Sequence, residues 1–244
     1  MRFKYFLVLI AAALVFNSGC KEEEPEPDPT TNVKINFTHK VNDMDLSWDT
    51  LIYRNSLGDT FGVSTLKYFV SGVMLHNTNG DSVLLADLNY VDGRMVADYS
   101  IEKTIPQGNY NKLSFFFGID SARNVDGMYS NPPESLMEWP LPMGGGYHYM
   151  KFEGKYQDGP NVENFQMHTG PTMANDFSIR YDLPLTLNVV NASHAIELIL
   201  DLDHWMEAPN EMSIKVMSMI MGNMPMQVKL QKNGANIVKL GSIN

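Results

Sequence analysis

Cysteine is nearly absent from this sequence: Cys20 is the only one among 244 residues. One thiol cannot form an intramolecular disulfide, so a folded domain must be stabilised by its core even if the protein is exported. The body of the chain also offers no cysteine nucleophile. The position of Cys20 near the N terminus therefore guides its interpretation.

Basic residues are also scarce. The chain has 18 Lys and Arg against 28 Asp and Glu, and two of the basic residues, Arg2 and Lys4, belong to the N-terminal segment. Phosphate backbones repel such an acidic chain. We therefore expect no nucleic-acid partner.

An apolar run over residues 5–16 follows Arg2 and Lys4 and ends in Asn17-Ser18-Gly19-Cys20. This is the layout of a secretory signal peptide, too short to span a bilayer in the mature protein. Its end resembles a bacterial lipobox, although Asn17 stands where a leucine is usual. We predict a signal peptide over residues 1–20 and a lipid at Cys20 that attaches the protein to a membrane.

Residues 21–31 begin with KEEEPEPDP, in which like charges repel and alternate prolines prevent helix and sheet. We predict an extended acidic, proline-rich tether, followed by one domain over residues 32–244. The tether is either a simple stalk or a surface-export signal of the kind found in lipoproteins of Bacteroidetes. The second interpretation predicts an outer-membrane lipoprotein exposed at the cell surface, with the periplasmic face as the alternative.

The usual enzyme motifs are missing. The sequence has no GxSxG elbow and no phosphate-binding glycine loop that opens a helix. Asp201 and Asp203 alternate with leucines, which predicts a solvated polar strand face and not a pair of carboxylates across a cleft. We therefore expect a protein that is not an enzyme.

The dominant pattern is alternation with a period of two, which is typical of half-buried antiparallel strands. Turn sequences such as Asp158-Gly159-Pro160 separate the alternating runs. The pattern predicts an all-β domain, a sandwich or flattened barrel of short strands. The clearest alternating apolar sets are Val33, Ile35, Phe37; Leu66, Tyr68, Val70; Leu113, Phe115, Phe117, Ile119; and Ile196, Leu198, Leu200, Leu202.

The region after Pro209 departs from this pattern. Asn210 could cap a short C-terminal helix in which apolar residues and methionines recur at helical spacing, at Met212, Val216, Met219 and Ile220. Thioethers are soft copper ligands, but methionine at this spacing is also ordinary core filling. We favour the core interpretation.

The segment EWPLPMGGGYHYMKFEG, residues 138–154, combines stiff and flexible backbone. Two prolines stiffen the approach, and Gly144, Gly145 and Gly146 allow close approach of another backbone or of a ligand. The triplet leads into Tyr147 and His148. It could position one side chain and leave room for an ion, or it could form a sharp corner of a sandwich.

Three histidines are candidate metal ligands. Period two places His148 on one face with Met150 and Phe152, while His39 and His168 lie at strand ends, where side chains of a sandwich can meet at one rim. Three imidazoles there could hold one copper or zinc ion with an open position. The alternative for each is a core histidine with its N–H satisfied by protein. The nearby Trp139 could stack on an imidazole or cover the loop.

Several stretches together resemble one family, the MbnP-like domain. The most specific is NPPESLMEWPLPMGGGYHYMKFEG, residues 131–154; the others are residues 37–46, 53–83, 105–120, 165–170, 202–210 and 232–240. The resemblance implies a β-sandwich on the cell surface or in the periplasm, copper binding, and a partner that is a di-haem enzyme of the MbnH type or an outer-membrane transporter. Such an enzyme oxidises a tryptophan to kynurenine in some members. This sequence departs from the pattern at Leu141, where many relatives carry a second tryptophan.

These observations lead to two hypotheses from different classes. The first is a lipoprotein that binds a transition metal, copper by resemblance and zinc as the alternative, for acquisition or delivery. The second is a metal-free surface module that binds a protein or glycan. Convergence of His39, His148 and His168 would favour the first.

Overall fold

The computed structural model of the protein describes residues 29–244. The predicted signal peptide, Cys20 and most of the predicted tether lie outside the described residues. The first strand already begins at Thr30, so Thr30 and Thr31 belong to the folded domain and not to the tether.

Twelve strands and one α-helix are defined in the described part of the chain. The strands are β1 Thr30–Val41, β2 Met44–Asp45, β3 Tyr53–Arg54, β4 Thr60–Asn77, β5 Ser82–Asp92, β6 Ser100–Pro106, β7 Gly108–Phe117, β8 Met150–Asp158, β9 Asn161–Thr169, β10 Ile179–Val189, β11 His194–Asp201 and β12 Val238–Ile243; the helix is α1 Met224–Gly234. One sheet has the order β12-β11-β1-β2, with β6 also on β1. The other has the order β10-β7-β4-β8-β9, with β3 and β5 also on β4.

The two sheets enclose the main hydrophobic core, which confirms the predicted β-sandwich. Ile35 and Leu198 come from the first sheet, while Leu66 and Phe115 come from the second, and all four have almost no exposed surface. Each belongs to an alternating run in the sequence, because successive side chains of a strand point to opposite faces. Period two therefore identified the core correctly.

Pairing in the first sheet is mixed. β1 runs parallel to β11, with Val33 opposite His194 and Lys40 opposite Asp201. The predicted antiparallel pairing holds for the other strand pairs of this sheet but not for this one. Period two is the same in both pairings, so alternation alone could not distinguish them.

A short C-terminal helix exists, but it starts later than predicted. Residues after Asn210 form a loop and a 3-10 helix, Ile214–Met219, and α1 begins only at Met224. The side chain of Asn210 donates to Asn233 Oδ1 at 3.0 Å instead of capping a helix. The cap of α1 is Asn223, whose side chain accepts from the backbone N–H of Met226. The spacing of apolar residues alone could not predict which of the two asparagines caps the helix.

Methionines of this region belong to the core. Met212 and Met217 are buried within the main hydrophobic cluster. This supports the interpretation of the methionine-rich region as core filling.

A smaller hydrophobic cluster lies on the other face of the second sheet. Phe69 alternates on β4 with Tyr68 and Val70, which face the main core, so Phe69 points outward. It is covered by residues of the long β7–β8 connection and its neighbours, so that the cluster comprises Phe69, Ile119, Met137, Tyr147, Tyr149 and Phe177. This outer cluster supports the segment that carries the glycine triplet and His148.

Two acidic residues contradict the prediction of a solvated strand face. Asp201 and Asp203 are each only 3% exposed. β11 ends at Asp201, and a 3-10 helix, Leu202–Met206, turns the chain so that the alternation stops. The change of backbone geometry removes Asp203 from the strand face.

Among the helices of residues 29–244, none is long and apolar enough to cross a membrane.

Candidate metal centre

The hairpin of β8 and β9 positions the first two groups of the site. Phe152 and Met167 pair across the hairpin and are buried in the main core. Glu153 and His168 alternate with them and therefore point to the outer face of the sheet. His168 Nε2 lies 2.7 Å from Glu153 Oε1. A carboxylate only accepts, so His168 donates from Nε2 and its Nδ1 is the nitrogen without a proton in the neutral ring.

His148 lies just before β8, in an irregular stretch. The backbone N–H of His148 donates to the carbonyl of Met137 at 2.6 Å, and its Nδ1 donates to the same oxygen at 2.9 Å. Because Nδ1 carries the proton, Nε2 presents a lone pair. That atom is buried and has no hydrogen-bond partner among the described residues.

The prediction that His148 shares a face with Met150 and Phe152 does not hold. Those two residues belong to the main core. The ring of His148 instead contacts His168, which points to the outer face of the sheet. Regular β-structure begins only at Met150, so period two does not extend back to His148.

Three rings meet at this place. The ring centroids of His148 and His168 are 5.0 Å apart with an interplanar angle of 82°. The ring of Trp139 lies edge-on to His148 at 4.7 Å. Two imidazoles that share an ion through nitrogens at about 2 Å have centroids roughly 5–6 Å apart. The observed spacing of the two histidine rings fits a shared ion.

Burial sets the charge state of His148. It lowers the pKa of His148 to about 3, and the nearby Lys151 contributes in the same direction. The imidazole is therefore neutral at physiological pH, which is the form that binds metals. The hydrogen bond from His168 holds the pKa of Glu153 below its usual value, so Glu153 stays ionised as the acceptor.

The glycine triplet forms a corner against protein. Gly144, Gly145 and Gly146 have φ values of +136°, +69° and +81°, which side-chain-bearing residues rarely adopt. A Cβ on Gly146 would lie 2.5 Å from Asn124 Oδ1. A Cβ on Gly145 would lie 3.2 Å from Asp126 Oδ1 and one on Gly144 3.2 Å from the carbonyl oxygen of Pro171. The space beside the glycines is filled by protein, so the structure supports the sharp corner and not a space for an ion.

Trp139 covers the loop, and it lies edge-on to His148 instead of stacking on the imidazole. It contacts His148, and it also covers Gly170, where a Cβ would lie 2.5 Å from the indole ring. It is 1% exposed, and its Nε1 is buried with no hydrogen-bond partner within residues 29–244. Trp139 thus shields the His148 side of the site from water.

Tyr147 supports the loop. Its hydroxyl accepts from the backbone N–H of Tyr129 at 2.7 Å and donates to the carbonyl of Tyr129 at 3.1 Å. Its backbone N–H donates to Asn124 Oδ1 at 2.8 Å. These bonds hold the chain directly before His148.

His39 lies elsewhere, between the two sheets. Its Nε2 is 2.9 Å from the hydroxyl of Tyr68, and its ring packs edge-on to Tyr99 at 4.7 Å. In the described part of the chain, His39, His148 and His168 do not form a group with ligand atoms within 4.8 Å of one another. His39 faces the core from β1, whereas His168 points away from the core. The structure thus brings together two of the three predicted ligands.

Glu153 is a residue of this site that the sequence pattern did not identify. A signal was present, because the Asp158-Gly159-Pro160 turn fixes the register of the flanking strands. That register places Lys151 opposite His168 and Glu153 on the neighbouring position of the same face. The carbonyl of Met137, in contrast, is reached only through the tertiary fold.

The fold is a β-sandwich with both parallel and antiparallel strand pairs. The site is a pair of histidines on the outer face of one sheet, and a carboxylate and a backbone carbonyl orient their rings. The chain belongs to the MbnP family, whose model matches residues 30–223. Among solved structures, MbnP from Methylosinus trichosporium is similar, with 16% identity, a TM-score of 0.49, and coverage of 75% of this chain and 80% of that one. A comparison with curated proteins finds no match.

Proposed function

We propose that this protein binds a transition-metal ion, copper, at His148 and His168, for acquisition or delivery of the metal. The observation that carries the proposal is the buried, unpartnered Nε2 of His148 beside the ring of His168. A buried nitrogen lone pair without a donor is unfavourable unless a ligand satisfies it. The residues present therefore fit a metal ion.

The hydrogen bonds of both rings follow the arrangement that metal-binding histidines use. The nitrogen that does not bind the ion usually donates to a carboxylate or backbone carbonyl, which fixes the ring and its tautomer. His148 donates to Met137 O, and His168 donates to Glu153. Nε2 of His148 and Nδ1 of His168 are left as the two ligand atoms.

Two imidazoles leave open coordination positions, which suits an ion that must be passed on. Imidazole binds copper and zinc alike, and divalent copper binds more tightly than zinc at a given nitrogen site. The resemblance described above also implies copper. Trp139 would exclude water from one side of the ion, and its oxidation by a di-haem partner is a further step that this proposal does not require.

The setting of the site is part of the proposal. A lipid at Cys20 and the acidic tether would hold the sandwich at the outer membrane, at the cell surface or on the periplasmic face. The ion would then be exchanged with a di-haem partner or an outer-membrane transporter. Mass spectrometry of the mature protein from its native membrane would detect the lipid on Cys20, and an unmodified cysteine would contradict this part.

The central test is metal analysis of protein produced without the signal peptide. We expect one copper ion per chain in the wild type and loss of most copper in His148→Ala and in His168→Ala. His194→Ala is the matched control, since His194 lies at the start of β11 and bonds only backbone groups. Circular dichroism must show that all variants are folded. Full copper uptake by both site variants would contradict the proposal.

A second candidate, a module that binds a protein partner, is favoured by exposed apolar residues on the long connection between β7 and β8. Leu136 and Leu141 are 66% and 70% exposed, and Val125 and Met128 are about half exposed. Apolar side chains grouped on a surface often mark a docking site. Absence of copper from the folded wild-type protein would favour this candidate.

A further inference from the structure

A second group of ligand-type side chains lies at the end of β11. One ligand atom from each of Asp201, Asp203 and His204 lies within 4.8 Å of the others. The group lies in the first sheet and the turn that follows it, whereas His148 and His168 belong to the second sheet. It is therefore independent of the proposed copper site.

One oxygen of this group lacks a partner. Asp201 is 3% exposed, and its Oδ1 is buried with no hydrogen-bond partner among the described residues. Its Oδ2 lies 3.6 Å from Lys239 Nζ, which also contacts Asp43 Oδ1 at 3.2 Å. A buried carboxylate oxygen without a donor is costly, and a cation would remove that cost.

The other two residues are already oriented. Asp203 Oδ1 accepts from the backbone N–H of Asn42 at 3.0 Å, which leaves its other oxygen available. His204 Nδ1 donates to the carbonyl of Asn236 at 3.0 Å, so Nε2 carries the lone pair. Glu207 Oε2 lies 3.8 Å from that Nε2 and could supply a further oxygen.

We propose that Asp201, Asp203 and His204 bind a divalent transition metal of the zinc type. Two carboxylates and one neutral imidazole form a ligand set that zinc accepts, with the fourth position left to water or Glu207. The side chain of His204 is 35% exposed, so an ion can enter from solvent. Lys239 is half exposed and can move to Asp43 alone when the ion is bound.

The test is calorimetric titration of the mature chain with zinc chloride, in the background His148→Ala/His168→Ala that lacks the proposed copper site. We expect one zinc ion per chain. Asp201→Asn should weaken zinc binding about tenfold or more, because it neutralises the carboxylate while preserving the shape of the side chain. Asp45→Asn is the matched control: it removes an exposed acid from the same end of the sheet and should leave zinc binding unchanged.

His204→Ala provides a second variant at a half-exposed position, in case the substitution at Asp201 prevents folding. It should also weaken zinc binding about tenfold or more. No zinc binding in the background protein, or unchanged binding in a folded Asp201→Asn or His204→Ala variant, would overturn the proposal. Failure of the copper proposal is seen separately, in the copper content of the protein with both histidines intact.

Discussion

At the residue scale, the proposed copper site depends on what surrounds the ring nitrogen of each histidine that makes no hydrogen bond. His148 and His39 are both buried, and each has one ring nitrogen without a hydrogen-bond partner in the part of the chain that the structure describes. His148 lies beside another histidine, whereas the ring neighbours of His39 are Tyr68 and Tyr99. A lone pair becomes a candidate ligand only where a second donor lies close to it.

Glu153 provides the sharpest residue-scale prediction. Glu153→Ala removes the acceptor that orients His168, so copper affinity should fall about tenfold or more while the fold is kept. A competition titration against a copper chelator measures the change. Glu163→Ala, an exposed glutamate of the same hairpin, should have wild-type affinity. Equal affinities for the two variants would exclude an orienting role for Glu153.

At the element scale, some elements follow from their local sequence, and others depend on tertiary contacts. The β8–β9 hairpin follows from its alternation and its tight turn, and it brings Glu153 and His168 together without help from the rest of the chain. The start of α1 does not follow in this way. Its cap depends on Asn223, while Asn210, an equally good cap by sequence, bonds to Asn233 of the helix itself.

The glycine corner yields an element-scale prediction. Gly146→Ala would force a Cβ to 2.5 Å from Asn124 Oδ1 at a φ of +81°, which we expect to cost about 1–3 kcal/mol of unfolding free energy and to weaken copper binding. Gly159→Ala is the control, because its φ is also positive, at +56°, but no atom lies within 4 Å of the added carbon.

Denaturant unfolding and copper titration of the two glycine variants measure these effects. The Gly159 variant should be slightly destabilised and should bind copper normally. If Gly146→Ala binds copper as tightly as Gly159→Ala, the corner does not position His148.

At the scale of the whole molecule, the sandwich separates its histidines into different environments. His39 is enclosed between the sheets, and burial lowers its pKa to about 4. The unfolded chain therefore binds more protons than the folded protein as the pH falls below about 6.5. The stabilisation that depends on a neutral His39 is complete above that pH and is lost as the pH falls toward 4.

This leads to a prediction about acid stability. Between pH 7 and pH 5, His39 should account for a loss of about 2 kcal/mol in unfolding free energy. The measurement is urea unfolding across this range for the wild type and for His39→Leu, which has no titrating group. The variant should show the shallower pH dependence, whatever its absolute stability. Identical dependence in the two proteins would mean that His39 is not held neutral by the fold.

The sequence by itself determined the all-β class, the core faces of the strands, the absence of disulfides and the acidic charge. These are properties of composition or of the period-two pattern, which each strand carries locally. Only the tertiary structure decided that β1 runs parallel to β11, that His148 meets His168 while His39 does not, and that Asp201 and Asp203 are buried. The physical reason is that alternation gives each strand two faces but does not specify which distant strand will cover them.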